Sequence, residues 1–403
     1  MPSCVIIVEN LPVPLDRRVW QEAQALRDAG WKVSVICPRT EQYPATFESI
    51  DGIDIFRHSL PAEGRGAAGF LLEYSAALFH QLRLLVKVAF RNGFDVIQAC
   101  NPPDLIFLVS APFKLFGKKF VFDHHDVCPE LFEAKFGKRG LFHRLLMFME
   151  RRSFRAADMV ISANETYRAL AISRGGKDPA DVVTVYSVPD RSRVRRVAEN
   201  AALRGNARLV LGYIGIIGDQ DGVDHLVRGM HRLCVQEGRS DIRAAIVGDG
   251  PALASVKALA DALGVSDRIT FTGYLKGDEL LAAMSTFDIG VIPDPVNEYN
   301  DKISMNKVFE YSAMGVPPVS YRLTETQRLL GSAGTYAEDD TSDGLARACA
   351  SLIDDEELRQ QKGRAAKALA DAKFEWAHEA HKYVSAYERL LPETKNVDAL
   401  DSV

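Results

Sequence analysis

The chain has 403 residues, of which 47% are hydrophobic, and its formal net charge is −5. This length predicts two domains, and the negative balance provides no global basic field for binding nucleic acid. The six cysteines show no CxxC pair and no metal-ligand spacing, a pattern typical of buried thiols in a reducing compartment.

Both ends of the chain are polar or only briefly apolar. The start, MPSCVIIVENLP, has no basic n-region and no long apolar core, so we do not expect a secretory signal. No apolar run reaches the roughly 18 residues that a spanning helix needs. We therefore expect a cytoplasmic protein, with a flexible tail at 393–403.

The first half alternates short apolar runs with helical stretches. Strands are predicted at 4–8, 33–37, 53–57, 95–99, 119–123, 159–162 and 182–186, and helices at 17–29, 69–91 and 104–116. This alternation predicts a parallel sheet with helices on both faces. We assign residues 1–190 to a first Rossmann-like domain.

The second half repeats the pattern after a charged stretch, which we interpret as a linker at 191–207. Strands are predicted at 209–214, 244–247, 269–272, 288–292 and 318–321. These define a second domain at 208–375, followed by a helix at 376–392. In such sheets, ligands bind beyond the carboxyl ends of the strands, so the loops that follow the strands are candidate sites.

Two of these loops could hold an anion. The first contains Gly215 and Gly218, which let the backbone approach a ligand closely. The second leads into a helix for which Ser304 is the predicted N-cap and Gly315 the stop. Lys307 and Glu310 lie three residues apart in this helix and either form a surface pair or bind a phosphate and a sugar diol.

The motifs taken together resemble retaining glycosyltransferases of family 4. The resemblance rests on IVGDGPALASVKALADALGVSDRITFTGYL, NDKISMNKVFEYSAMGVPPV and FEWAHEAHKYVSAYERLL in the second half, and on IQACNPPDLIFL, VFDHHDVCPELF and VISANETYRALA in the first. It implies the GT-B fold: two doubly wound parallel-sheet domains facing a deep cleft, with the C-terminal helix crossing back to the first domain.

The resemblance also implies a donor site in the second domain for a nucleotide diphosphate sugar, with UDP as the first expectation and GDP as the second. Glu310 would bind the ribose and Lys307 would balance the diphosphate. The donor-binding residues it implies are Gly215, Gly218, Gly273, Tyr274, Lys302, Ser304, Met305, Lys307 and Glu310. The VGDGP turn at 247–251 is interpreted as mainly structural.

One departure concerns charge. The first Glu of the family's paired motif falls at Lys302, and two common diphosphate cations fall at Ile216 and Asp221. Asp301 or Glu298 could replace the missing acid. Lys302 and Lys307 could replace the missing cations, because a leaving diphosphate needs stabilisation where its charge grows.

The first domain would bind the acceptor. His125 matches the family's active-site histidine, and we expect a positioning or hydrogen-bonding role for it. Together with Lys307 and Glu310 it completes the predicted catalytic set. Asn101, Asp104 and Asp126 are expected on the acceptor side. No cofactor or metal is expected, because adjacent residues of a loop at His124–Asp126 point in different directions.

The activity predicted is metal-independent hexosyl transfer (EC 2.4) with retention, to a glycan acceptor such as a polyprenyl-diphosphate-linked oligosaccharide in bacterial cell-surface or exopolysaccharide synthesis. The segment 135–155 interleaves basic and apolar residues. It is either a core-packing helix with a basic outer face or a helix on anionic lipid, which would make the protein peripheral to the inner face of the cytoplasmic membrane. Two alternatives stay open: a sugar-nucleotide 2-epimerase of the same fold and a non-catalytic nucleotide-binding relative.

Overall fold

The computed structural model describes residues 1–59, 66–137, 139–190 and 193–391, without the side chains at 66–74 and 135. Contacts within the chain separate two compact units. Unit 1 comprises Met1–Pro129, Lys138–Tyr186 and the described segment from Glu379 onward. Unit 2 comprises Glu130–Gly137 and Ser187–His378.

Unit 1 is built on an eight-stranded sheet. Its strands are β1 (Ser3–Ile7), β2 (Lys32–Pro38), β3 (Phe47–Ile50), β4 (Ile53–His58), β5 (Val96–Cys100), β6 (Lys119–His124), β7 (Met159–Ser162) and β8 (Val182–Thr184). The order across the sheet is β3-β4-β2-β1-β5-β6-β7-β8. The β3–β4 pair is antiparallel and the other pairs are parallel. The parallel strands are largely apolar because both of their faces are buried.

Helices are placed between these strands. They are α1 (Arg17–Asp28), α2 (Gly66–Arg91), α3 (Phe107–Lys114), α4 (Cys128–Phe136), α5 (Leu141–Ala156) and α6 (Glu165–Ser173). Asp16 caps α1 by accepting a hydrogen bond from Val19 N at 3.0 Å. Phe154 of α5 packs in the core against Phe120 and Phe122 of β6, so this helix is anchored to the sheet by its inner face.

Unit 2 has a six-stranded parallel sheet in the order β11-β10-β9-β12-β13-β14. The strands are β9 (Leu209–Ile214), β10 (Ile242–Val247), β11 (Ile269–Gly273), β12 (Ile289–Ile292), β13 (Pro318–Ser320) and β14 (Thr335–Tyr336). The helices are α7 (Ala201–Arg204), α8 (Val223–His231), α9 (Leu253–Ala262), α10 (Gly277–Thr286), α11 (Asn306–Met314), α12 (Thr324–Leu330), α13 (Ser342–Asp354) and α14 (Glu356–Lys373). The last helix, α15 (Trp376–Leu390), starts in unit 2 and belongs to unit 1 from Glu379 onward.

Helix α11 is fixed to the central strands by one buried tyrosine. The hydroxyl of Tyr311 accepts a hydrogen bond from Ile214 N at 3.1 Å and lies 3.2 Å from Gly212 O. A Cβ at Gly290 would lie 2.5 Å from the Tyr311 ring, so only glycine leaves room for it. These contacts set the position of α11 relative to the end of β9, where the predicted loop of Gly215 and Gly218 begins.

The two parallel-sheet units confirm the predicted fold class. Two short strands, β3 and β14, were not predicted. The exact domain limits stay predictions. The division by contacts includes Ser187 and the described part of the linker in unit 2. Arg196 of the linker, for example, donates from Nε to Met314 O at 2.9 Å. The predicted tail at 393–403 lies outside the described residues. Within the described part of the chain, no helix has the length and apolar character needed to cross a bilayer.

Candidate active site

The loop after β9 is packed against the VGDGP turn after β10. Gly215 has φ 148° and Gly248 has φ 145°, and a Cβ at Gly248 would lie 1.8 Å from Gly215 O. The N–H of Ile217 donates to Asp249 O at 2.9 Å. The VGDGP turn therefore supports its neighbour, in line with the structural role expected for it.

The two glycines of the predicted phosphate loop use their N–H groups inside the chain. Gly215 N donates to Val247 O at 3.1 Å, and Gly218 N donates to the carboxylate of Asp221 at 2.9 Å. These two N–H groups therefore already have acceptors inside the chain, and the predicted approach of these glycines to a ligand stays a prediction. What the glycines can contribute is close approach of the backbone, and Asp221 supports the loop at the position where the family usually has a cation.

Helix α11 begins two residues later than Ser304. Its N-cap is Met305, whose backbone is extended and whose side chain makes no capping hydrogen bond. The prediction that Ser304 caps the helix is therefore wrong by one residue. The Ser304 hydroxyl is buried without a hydrogen-bond partner in the described structure, and the helix ends, as predicted, at Gly315 with φ 65°.

Lys307 is buried and forms an ion pair that the sequence did not predict. Its Nζ donates to Asp294 Oδ2 at 2.6 Å and lies 4.7 Å from the centre of the Tyr213 ring. Tyr213 in turn donates to Ile216 O at 2.6 Å. The structure thus brings Lys307 next to the loop of Gly215, but its charge is shared with Asp294, which follows β12 in the sequence PDP. Of the two alternatives for Lys307 and Glu310, the exposed surface pair is excluded for Lys307, because only 7% of its surface is accessible.

Glu310 lies one turn further along α11 and is half-buried. It precedes Tyr311, whose contacts with β9 hold this part of the helix in place. Burial, together with the nearby charges of Glu310 and Asp294, raises the pKa of Tyr311 well above its ordinary value. The phenol therefore stays protonated and can keep its hydrogen bonds at any physiological pH.

Lys302 contacts two acidic side chains that lie near it. Its Nζ donates to Glu298 O at 2.8 Å, pairs with the Glu298 carboxylate, and lies 3.9 Å from Glu130 Oε1. Asp301 accepts hydrogen bonds from Thr324 N at 2.7 Å and Thr324 Oγ1 at 2.9 Å, at the start of α12. These contacts argue against Lys302 as a replacement diphosphate cation and against Asp301 as the replacement acid, because both already have structural partners.

Gly273 and Tyr274 end strand β11 at the same edge of the sheet as the other loops, because all six strands are parallel. Gly273 has φ 74°, and its carbonyl accepts the Gly248 N–H at 3.0 Å. Tyr274 is 67% exposed. An exposed aromatic ring at this edge can stack on a flat heterocycle.

In unit 1, Asn101 holds the loop that carries His125. Its Oδ1 accepts the N–H groups of His125 at 2.9 Å and Asp126 at 3.1 Å, and its Nδ2 donates to Asp126 O and Asp104 Oδ1. Asn101 and Asp104 are buried, so the geometry gives them a supporting role for this loop, and their place on the acceptor side stays a prediction. Burial and the nearby Glu150 raise the pKa of Asp104 to about 8.

His125 is paired with a carboxylate that sequence reasoning missed. Its Nδ1 lies 3.4 Å from Asp123 Oδ2, and Arg18 donates to both oxygens of Asp123. Burial alone would lower the pKa of His125, but the hydrogen bond and the charge of Asp123 outweigh it and the pKa is raised. The side chain is 15% exposed, so this imidazole can both reach a ligand and hold a proton.

Cys100, Asp123 and His125 also bring possible metal-ligand atoms within 4.8 Å of one another. Arg18 already occupies both Asp123 oxygens, and a cation placed there would have to displace its guanidinium. The arrangement favours an ion pair over a metal site, and metal independence stays a prediction.

Two family models match the chain in succession. The model described as "Glycosyl transferase 4-like domain" matches residues 15–189, and the one described as "Glycosyl transferases group 1" matches residues 208–355. The chain belongs to this glycosyltransferase family. It is therefore a glycosyltransferase of GT-B fold that uses a nucleotide-sugar donor, as the resemblance implied.

A named relative agrees over most of the chain. The 2-deoxystreptamine glucosyltransferase of Streptomyces kanamyceticus is 27% identical over 356 residues, which cover 84% of this chain and 89% of that protein. Two solved structures share the fold. Sucrose-phosphate synthase from Thermosynechococcus elongatus has a TM-score of 0.80 at 16% identity, over 97% of this chain and 99% of that one. Anabaena Alr3699/HepE in complex with UDP and glucose has a TM-score of 0.72 at 15% identity, over 96% of this chain and 100% of that one.

Proposed function

We propose that this glycosyltransferase moves a sugar, with retention at the anomeric carbon and without a metal, from a UDP-sugar to a glycan acceptor. GDP is the second choice of base. The observation that carries the proposal is the cluster in which buried Lys307 lies against Tyr213, beside the loop that starts at Gly215. UDP is supported by the Anabaena neighbour, whose complex contains UDP and glucose.

The donor diphosphate would bind at the start of α11. The first N–H groups of that helix have no side-chain cap, and the positive end of the helix dipole favours an anion there. The unpartnered Ser304 hydroxyl can donate a further hydrogen bond, and Lys307 supplies the positive charge. These groups would also stabilise the nucleotide diphosphate as it leaves, because its negative charge grows in the transition state.

The nucleoside would extend along the same edge of the sheet. Glu310, one turn into α11, would accept hydrogen bonds from the ribose hydroxyls. The exposed ring of Tyr274 after β11 would stack on the base. His125 in unit 1 would hydrogen-bond an acceptor hydroxyl through the ring nitrogen that does not face Asp123.

For the acceptor, we propose a lipid-linked oligosaccharide that meets the protein at a membrane surface. Helix α5 buries Phe154 and Glu150, so it packs on the core, yet its opposite face exposes Leu141, Leu145 and Phe148. Exposed cations accompany these side chains, namely Arg144, Arg151, Arg152 and Arg155. Such a mixed face suits the interface of an anionic bilayer.

The neighbouring helices extend this apolar face. Helix α3 contacts both α2 and α5. Phe79 and Phe90 of α2 are exposed, as are Leu115 and Phe116 just after α3. Together with Leu141, Leu145 and Phe148 of α5 they form what we call the apolar face of unit 1. We propose that these side chains form one surface, and an exposed apolar surface of that size marks an interaction site.

A different acceptor class follows from the Streptomyces relative, whose name describes transfer to 2-deoxystreptamine. A water-soluble aminocyclitol acceptor would not need a membrane. None of the relatives named above is described as an epimerase, so we do not propose that alternative.

The proposal is tested in two steps. A thermal-shift screen with UDP, GDP, ADP and their sugars should show the largest stabilisation with UDP, on the order of a few kcal/mol at saturation. The best donor is then incubated with lipid-linked and water-soluble acceptors, and NMR of the product determines the anomeric configuration. Inversion at the anomeric carbon, or donor turnover that EDTA abolishes, would contradict the proposal, as would conversion of the donor to an isomer when no acceptor is present.

A further inference from the structure

Helix α15 inserts two tyrosine hydroxyls into unit 1. Tyr383 and Tyr387 lie four residues apart and therefore on one face of the helix, and both are fully buried. Both hydroxyls donate to Oε1 of Gln98 on β5, Tyr383 at 2.5 Å. Burial raises the pKa values of both phenols well above the ordinary value, so they remain hydrogen-bond donors.

These two donors determine which way the Gln98 amide points. The two ends of an amide have nearly the same shape, and only hydrogen bonds distinguish them. With Oε1 facing the tyrosines, Nε2 faces the opposite way, where it donates to Glu22 Oε2 at 2.6 Å and lies 3.4 Å from Asp123 Oδ2. Reversal would place the amide oxygen against two carboxyl groups.

The oxygen that Gln98 approaches is the one that faces His125. Asp123 Oδ2 lies 3.4 Å from His125 Nδ1. Burial would raise the pKa of Asp123, but Arg18 and His125 outweigh it and hold the pKa far below its usual range. Asp123 therefore remains a carboxylate and accepts a hydrogen bond from the Nδ1–H of His125, which leaves the other nitrogen of a neutral imidazole as an acceptor.

We propose that Tyr383 and Tyr387 are positioning residues that act through Gln98 and Asp123 to fix the orientation and the tautomer of His125. The inference rests on the proposed role of His125 in glycosyl transfer. It assigns a task in the reaction to a helix at the far end of the sequence. The charged and titratable groups around His125 and its partner Asp123 are Cys100 on β5 and Asp16, Arg18 and Glu22 at or near α1.

The test uses the full-length double variant Tyr383→Phe/Tyr387→Phe, with the His125 imidazole titrated by ¹⁵N–¹H NMR and assigned with His125→Asn. Once the amide can turn away, Asp123 loses a donor and attracts imidazolium more strongly. The pKa of His125 should therefore rise by about half a unit. The kcat should fall about tenfold and the KM for the donor should change little. The acidic limb of the pH–rate profile should move to higher pH.

A second variant, Gln98→Met, keeps a side chain of similar size and removes the amide. It should give the same shift of the His125 titration, and adding it to the tyrosine variants should change nothing more, because both act through one amide. The control is Tyr336→Phe, which removes a hydroxyl that donates to Gly331 O in unit 2 and should leave the titration unchanged.

The outcomes separate this inference from the proposed function. An unchanged His125 titration in folded Tyr383→Phe/Tyr387→Phe protein, or additive effects of the tyrosine and Gln98 variants, overturns the inference. If the double variant does not fold, the single variant Tyr383→Phe and Gln98→Met decide the same question. If the native chain transfers no sugar, the proposed function fails while the NMR titration still determines whether the tyrosines control His125.

Discussion

The ion pair between Lys307 and Asp294 makes the sharpest prediction about the donor site. The Asp294→Asn substitution keeps the size of the side chain and removes its charge. Lys307 is then left buried beside Tyr213 without its carboxylate partner. A bound diphosphate would restore a negative charge next to it.

The magnitude follows from the geometry. At the N–O distance of 2.6 Å, the attraction between unit charges is about 6 kcal/mol at an effective dielectric constant of about 20. Desolvation offsets much of this attraction, and breaking a buried pair by removing one partner costs about 3 to 5 kcal/mol. The side chains of Lys307 and Asp294 are 8% and 4% exposed, so the full buried-pair cost applies to the ligand-free protein.

The assay is urea denaturation of native and Asp294→Asn protein, with and without saturating UDP. We expect the loss of stability to be largest without UDP and to be partly reversed by it. The matched control is Glu298→Gln, which breaks the exposed pair with Lys302 and should cost less than about 1 kcal/mol. If Asp294→Asn costs no more than this control, or if UDP stabilises both proteins equally, the proposed electrostatics of the site are wrong.

Three further predictions concern other parts of the molecule. The pKa of Asp104 is raised to about 8, so the stability that its protonation provides is fully present below about pH 4 and is lost as the pH rises through about 8. Asparagine cannot lose this proton. Asp104→Asn should therefore increase the free energy of unfolding at pH 8 more than at pH 5, which urea denaturation at both pH values measures. The double variant Leu145→Ser/Phe148→Ser should weaken binding to anionic vesicles in flotation at least tenfold, because each apolar side chain contributes about 1.5 to 3 kcal/mol when fully buried and a part of this when partly buried. Gly248→Ala should destabilise unit 2 by more than about 2 kcal/mol and weaken UDP binding, because its Cβ collides with Gly215 O.

Each of these has a control and a refuting result. The control is Asp181→Asn, which changes a carboxylate that is 50% exposed, and an equal effect of Asp104→Asn at both pH values would refute the buried-acid argument. Val235→Ser, at an exposed site of unit 2, should leave flotation intact, and equal flotation of all variants would remove the membrane proposal. Gly264→Ala also has a positive φ, but no atom lies near its Cβ, so a cost as large as that of Gly248→Ala would show that backbone strain alone is responsible.

The fold could be predicted largely because most of the parallel strands are buried on both faces. Runs such as Cys4–Val8 and Leu209–Ile214 are apolar without interruption, and burial on both faces produces that pattern. Strands β3 and β14 were missed because they are short and only half-buried, which leaves no periodic signal to detect.

The sequence identified candidate site residues, but it did not predict the residues with which they form ion pairs and hydrogen bonds. Lys307 and Glu310 were identified from their place in a helix after a strand, whereas Asp294 was missed because an ion pair across 13 residues depends on how α11 packs. The role of Asp123 could have been found: it precedes His125 by two residues, and side chains two apart in an extended segment share a face. The contacts of Tyr383 and Tyr387 join positions nearly 300 residues apart, and no local pattern predicts them.

The central claim is that the start of α11 holds a nucleotide diphosphate sugar whose ribose is bound by Glu310. Isothermal titration calorimetry of UDP with native protein and Glu310→Ala tests it most directly, with Glu357→Ala on the surface of α14 as the control. Loss of a hydrogen bond to a charged group predicts a Kd at least tenfold higher for Glu310→Ala and an unchanged Kd for Glu357→Ala. An unchanged Kd for Glu310→Ala would contradict the placement of the nucleotide.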